Sequence, residues 1–183
     1  LFRSRSLQME GTVGEAFECT TIEQVEALFQ RYGRLVLKAP WSSSGRGLRF
    51  LSTERTPFQM QAGWFRNLVA QQGSVMVEPL YDKVKDFGME FESDGEGCVK
   101  YLGLSLFHTK NGAYTGNLIA KEEEKQELLS RYISADLLQR VQEKICHHLG
   151  EAFKGKYQGP FGIDMMVVST ADKDGFLLHP CVE

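Results

Sequence analysis

Residues 35–50 read LVLKAPWSSSGRGLRF. Lys38 closes a short apolar run, and serines and glycines follow before the chain turns apolar again. Small residues let backbone N–H groups approach an anion closely, because no side chain holds it off. Ser42, Ser43 and Ser44 add hydroxyl donors. Lys38 supplies a full positive charge from the adjoining strand, and Arg46 a second. With Gly45 and Gly47 they suit the phosphates of a nucleotide. A plain hairpin tip beside a surface lysine has the same composition. The stretch is not a Walker P-loop, since no G-K-[ST] opens a helix, and it lacks the G-x-G-x-x-G spacing. The lysine precedes the glycines, which is the order of a strand–loop–strand flap over phosphates.

A second constellation lies at the end, in FGIDMMVVSTADKDGFLLHPCVE. A symmetric hairpin centred between Lys173 and Asp174 sets Asp164 directly opposite Glu183. Opposed side chains on antiparallel strands lie about 4.5–5.5 Å apart at Cβ. Both carboxylates flank apolar residues (Ile163, Met165, Val182), so the reading expects a largely buried setting. There they repel unless a cation lies between them, and hard oxygen ligands suit Mg²⁺. A one-residue slip or a bulge would instead send one carboxylate to solvent or to a lysine. The acidic run 122–124 and Asp172 and Asp174 read as solvated charges and turn residues. His179 reads as a packing or hydrogen-bonding residue, and Trp41 as a brace for the loop or a core aromatic.

The elements that carry these residues follow from periodicity. TIEQVEALFQRY (21–32) is an amphipathic helix with Thr20 and Glu23 as a capping box, ended by Gly33. LVLK and LRFLS are strands on either side of the Ser/Gly loop, a helix covers 57–72, and SVMVEPL (74–80) is a strand stopped by Pro79. DFGMEFES (86–93) and CVKYLGLSLFHTK (98–110) form a hairpin about DGEG, and AYTGNLIA adds a strand. Helices then cover EEEKQELLSRY and 135–153, the latter with a stripe of Leu137, Leu138, Val141, Ile145, Leu149 and Ala152. The order is α+β, with largely antiparallel sheets and flanking helices, in two lobes that meet near residue 80. Residues 1–19 read as a remnant or linker, 20–80 as one lobe and 81–183 as the other.

The 183 residues, 42% of them hydrophobic and 25% charged, suffice for such a fold. A net charge of −3 argues against a broad nucleic-acid or membrane footprint. The four cysteines are widely spread with no C-x-x-C, the pattern of reduced thiols in a cytoplasmic protein. The first residue is not methionine and the last run stops mid-strand, so the sequence reads as part of a longer protein.

VLKAPWSSSGRG, VMVEPL and FGIDMMV…LLHPCVE, in this order and spacing, resemble the ATP-grasp superfamily over roughly residues 20–183. The resemblance implies a two-lobed domain with a nucleotide cleft between the lobes, and ATP and Mg²⁺ as cofactors. Lys38 then resembles the strand lysine on the α- and β-phosphates, and Ser42 to Gly47, Arg46 included, the loop that closes over the triphosphate. Glu78, Pro79 and Leu80 resemble the hinge that reads the adenine amino edge. Asp86 is similar in position to the acid that holds the ribose hydroxyls. Asp164 and Glu183 resemble the Mg²⁺ ligands. The implied reaction activates a small carboxylate as an acyl phosphate for attack by an amine or thiol. The resemblance also implies a preceding N-terminal domain and a C-terminal segment of the same chain, both missing from this sequence. The E-x-N motif stops at Glu183, and Gly162 stands where an arginine is frequent, with Lys110 or Asn117 as substitutes near the phosphates. A nucleotide-binding module without catalysis and a related phosphotransferase are the alternative readings.

Overall fold

A computed structural model describes residues 4–42, 47–52, 61–110, 113–170 and 175–182. It divides into two units, residues 15–80 and residues 1–14 with 81–183. The residues read as a remnant are therefore shared out, 1–14 to one unit and 15–19 to the other.

In the smaller unit, β1 (Phe17–Cys19), β2 (Arg34–Lys38), β3 (Leu48–Ser52) and β4 (Val75–Pro79) form an antiparallel sheet in the order β1-β4-β2-β3. Helices α1 (Ile22–Tyr32) and α2 (Ala62–Gln72) supply the rest of its core. Alternation decides which residues enter this core: Leu35, Leu37, Val75 and Val77 join Val25, Phe65 and Leu68. Helix α1 begins one residue later than the spacing predicts. Thr21 is its N-cap, and the Gln24 side chain accepts the Thr21 N–H at 3.2 Å, so the box is Thr21–Gln24 rather than Thr20–Glu23. Helix α2 starts at Ala62, and the expected start at Pro57 lies outside the described residues.

The larger unit is built on two eleven-residue strands, β5 (Lys83–Ser93) and β9 (Gly159–Ser169), paired antiparallel along their length. β6 (Val99–Ser105) flanks β5 and β10 (Phe176–His179) flanks β9, in the order β10-β9-β5-β6. Phe87, Met89 and Phe91 of β5 and Ile163, Met165 and Val167 of β9 form the core with Leu137, Leu138, Val141, Ile145 and Leu149 of helix α4 (Ala135–Phe153), whereas Ala152, expected in the same stripe, is exposed near the helix end. The segment read as one strand over 98–110 breaks at Leu106, which is buried and accepts the Leu118 N–H at 2.7 Å. β7 (Phe107–Lys110) then pairs with β8 (Ala113–Asn117) as a separate hairpin.

Helix α3 (Glu122–Ser130) opens on the acidic run, and Glu122 is not a solvated charge. Its carboxylate accepts from the Tyr101 hydroxyl at 2.6 Å and from the Leu104 N–H at 3.0 Å, with Lys125 Nζ at 3.0 Å. Among the described residues no helix is long and apolar enough to cross a membrane.

Helix α4 meets the β5–β6 turn without side chains between them. A Cβ at Gly150 would stand 2.4 Å from the Gly97 carbonyl oxygen. Gly→Ala inside a helix ordinarily stabilises by about 1 kcal/mol. Here backbone would have to move, and overpacking costs about 1–3 kcal/mol. Gly150→Ala is expected to lower the urea midpoint at an unchanged m-value; an unchanged or raised midpoint refutes the contact.

Candidate functional site

Strand β2 holds Lys38 opposite Met76 and Val36 opposite Glu78 on β4. Lys38, Val36, Met76 and Glu78 therefore share the face turned away from Leu35, Leu37, Val75 and Val77. On it the charges sit diagonally across two strands, Lys38 Nζ 2.7 Å from Glu78 Oε2, with side chains 18% and 8% exposed. Burial pushes the Glu78 carboxyl above its ordinary value of 4.5, against the opposing pull of the Lys38 charge and hydrogen bond. The pair places a cation where β2 leaves for the Ser/Gly loop. That loop is closed by the Ala39 N–H on the Gly47 carbonyl at 3.0 Å.

Gly47 has to be glycine, since a Cβ there would lie 2.6 Å from Ser42 Cβ and 2.7 Å from Ala39 Cβ. Ser42 is half-buried at the start of the loop. Ser43, Ser44, Gly45 and Arg46 lie outside the described residues. Trp41 is 81% exposed, its backbone N–H donating to Gln72 Oε1 at 3.0 Å, so it is not a core aromatic. Pro79 ends β4, and the Leu80 N–H donates to the Arg34 carbonyl at 3.0 Å.

In the larger unit the second set lies on the sheet face opposite the helix-packed one. The register sets Asp86 opposite Met166, Gly88 opposite Asp164 and Glu90 opposite Gly162. Asp86 pairs with Lys83. Asp164 is exposed rather than buried, because alternation gives the core to Ile163 and Met165 on either side of it. His179 extends the row of Asp86 and Met166 across β10. It is 1% exposed, and the Tyr81 ring stands edge-on to it at 5.5 Å.

The register of the terminal hairpin is not the symmetric one from which the opposition of Asp164 and Glu183 was expected. The Thr170 N–H donates to the Gly175 carbonyl at 2.9 Å, and the Gly175 N–H returns to Thr170 Oγ1 at 3.0 Å. Closing the hairpin there sets His179 opposite Met166, two residues from the symmetric register. Pro180 has no N–H to continue the ladder. Beyond it the Val182 N–H donates to the Asp164 carbonyl at 2.8 Å. Glu183 lies outside the described residues.

The sequence reading missed Glu90. A Cβ at Gly88 would stand 3.5 Å from Asp164 Oδ1 and 3.7 Å from Glu90 Oε1. A Cβ at Gly162 would stand 2.9 Å from Glu90 Oε2. The two glycines thus leave a shallow cradle with a carboxylate from each strand at its rim. Alternation in GMEFES already puts Glu90 on the face of Gly88; the missing step was pairing that strand with β9. Hard carboxylate oxygens beside a space any side chain would fill fit Mg²⁺ in chemistry. Among the described residues no three His, Cys, Asp or Glu side chains come together as a complete metal site.

No family model matches the sequence, and no curated protein matches it. Solved structures match its fold. N5-carboxyaminoimidazole synthetase from Staphylococcus aureus, in complex with ADP, superposes with a TM-score of 0.59 at 11% identity, over 99% of this chain and 44% of that one. The biotin carboxylase domain of Hydrogenobacter thermophilus 2-oxoglutarate carboxylase, with MgADP, ADP and bicarbonate, gives 0.57 at 14% identity, over 98% and 38%. D-alanyl-alanine synthetase A from Vibrio cholerae gives 0.55 at 15%, over 90% and 48%. The chain spans less than half the length of each.

The burial of Glu78 has a pH consequence. The folded state holds this proton more tightly than the unfolded state, so stability falls as pH rises from about 4.5 through the raised value and is level above it. Glu78→Gln still accepts from Lys38 but has no proton to lose. In urea unfolding across about pH 4 to 8, the difference between the two chains is expected to move in favour of Gln over that window. A pH-independent difference refutes the assignment.

Proposed function

We propose that this chain, which has the ATP-grasp fold, is the nucleotide-binding part of an ATP- and Mg²⁺-dependent ligase. Its reaction passes the γ-phosphoryl of ATP to a small carboxylate and exposes the acyl phosphate to an amine or thiol. The observation that carries the reading is Lys38. It is held by Glu78 on the non-core face of its sheet, at the root of a hairpin whose neck admits only glycine at position 47. That is a fixed cation beside a loop of small donors, the chemistry of phosphate binding. The ADP-bearing structures that share the fold support the same ligand.

In this reading Lys38 contacts the α- and β-phosphates, and Ser42 to Gly47 with Arg46 cover the triphosphate. Glu78, Pro79 and Leu80 read the adenine edge, and Asp86 takes the ribose hydroxyls. Asp164 and Glu183 would hold Mg²⁺, with Glu90 near Asp164 across Gly88. The ion, when bound, neutralises charge on the transferring phosphoryl group. These residues bind and orient. No general base is required of them, because phosphoryl transfer rests on alignment and charge stabilisation.

Calorimetric titration with ADP tests the reading, with and without Mg²⁺. A charge-assisted hydrogen bond contributes about 1.5–3 kcal/mol, so Lys38→Ala should weaken ADP binding by about tenfold or more. Asp164→Asn should remove most of the gain that Mg²⁺ gives and leave metal-free binding near the parent value. In the full-length protein, ADP release that needs both an acid and an amine or thiol supports the ligase. Binding without turnover selects a non-catalytic module, and the absence of ADP binding by the parent chain sinks both.

A further inference from the structure

Two of the cysteines, far apart in sequence, are brought to one place by the contact between helix α4 and the β5–β6 turn. The turn is rigid. Asp94 Oδ1 accepts the N–H groups of Glu96, Gly97 and Cys98 at 2.8, 3.1 and 2.9 Å, and the Asp94 N–H donates to the Cys98 carbonyl at 3.1 Å. It is fastened to the end of α4, where the Gly155 N–H donates to the Gly95 carbonyl at 2.8 Å. Further back along the helix, the Gly97 carbonyl presses on Gly150. Turn and helix therefore run past each other in opposite senses, 95 beside 155 and 97 beside 150.

Continuing that run brings Cys98 next along the turn and Cys146 one helical turn back from Gly150 on the same face. Cys98 lies one residue, about 3.3 Å, beyond Gly97, and Cys146 one helical turn, about 5.4 Å, before Gly150, so both cysteines adjoin the contact between the two glycines. Cys98 is exposed, whereas Cys146 is half-buried against the core of its unit. Burial and then the neighbouring Cys98 sulfur push the Cys146 thiol up.

We propose that Cys98 and Cys146 are an oxidation site, a thiol pair that a peroxide converts to an intramolecular disulfide fastening α4 to the β5–β6 turn. The exposed Cys98 thiolate attacks one oxygen of hydrogen peroxide. An S–O bond forms, the O–O bond breaks, and hydroxide leaves and is protonated to water. The Cys146 thiolate then attacks the Cys98 sulfur. The S–S bond forms, the S–O bond breaks, and a second hydroxide leaves as water. Two thiols lose two electrons and two protons, and one peroxide is reduced to two waters. Exposure makes Cys98 the first to react, and its fixed turn keeps the sulfenic acid within reach of its partner. Neither cysteine belongs to the residues assigned to nucleotide binding, so the proposal is independent of that reading.

The test treats the folded chain with equimolar hydrogen peroxide, alkylates the remaining thiols and maps peptides without reduction. A Cys98–Cys146 cross-linked peptide is expected, lighter than its two components by two hydrogens and released by dithiothreitol, with Cys19 and Cys181 still alkylated. Cys98→Ser should abolish the cross-link. Cys146→Ser should leave Cys98 as a sulfenic acid that dimedone traps. Sulfinic acid at Cys98 with Cys146 still alkylated in the parent chain, or a bridge from Cys98 to a second chain, overturns the proposal.

Discussion

The constraint on which both units depend is the pleat of a sheet covered by helices on one face. Every second residue of each central strand is committed to a core, and the residues between are left for other work. In β2 that division gives Leu35 and Leu37 to the core and Lys38 to the opposite face. In β5 and β9 it gives Phe87, Met89, Phe91, Ile163, Met165 and Val167 to the core, and Asp86, Glu90 and Asp164 to the opposite face. A slip of one residue would bury the carboxylates and expose the core, so register here is fixed by hydrophobic burial rather than by the polar groups. The site residues inherit their positions from a packing problem solved behind them.

Within that frame the Lys38–Glu78 pair is the group most out of keeping with its surroundings. Two ions on a largely buried patch lose hydration that their attraction recovers only in part. The upward push on Glu78 records that loss, since burial outweighs the nearby ammonium. Such a pair adds little to stability, but it fixes the lysine. A solvated lysine explores many rotamers and surrenders them on meeting an anion. One already held at 2.7 Å by a neighbouring carboxylate has surrendered most of that freedom during folding. The fold thus delivers a preorganised cation at the root of a loop of small residues, which favours phosphate binding.

Much of this was legible in the sequence because it is local. The stripe on α4 is legible up to Leu149, since a nineteen-residue helix offers several turns of evidence, and fails only at Ala152 in the last turn. Lys38 and the Ser/Gly loop were legible because cation and loop adjoin in the chain. What escaped depended on pairing between distant segments. Glu90 has no partner of interest until β5 lies beside β9, and Glu122 looks like one member of an acidic run until α3 docks on β6. The terminal hairpin shows the same limit at short range. Its turn was read from DKDG alone, but Thr170 and Gly175 close it earlier with a side-chain bond that turn statistics do not weigh. Pro180 was visible, and its effect on the ladder was the one clue that the symmetric register would fail before Glu183.

Identities of 11–15% with structures of the same fold are consistent with this picture. A core needs apolar residues of suitable volume at alternate positions and is indifferent to which ones. The open faces are less permissive, and they impose glycines as well as charges. Gly88 and Gly162 are instructive because neither is required by a turn. A Cβ at Gly162 would stand 2.9 Å from Glu90 Oε2 and displace that carboxylate, and one at Gly88 would come into contact with Asp164 Oδ1 and Glu90 Oε1 at 3.5 and 3.7 Å. In the interior of a strand, glycine costs backbone entropy and packs nothing. Two of them facing each other's acidic neighbours therefore weaken the sheet at the point where its open face is most polar. The exchange is intelligible if that space is for a ligand rather than for the fold, and it locates the functional demand on β5 and β9 more sharply than the carboxylates do alone.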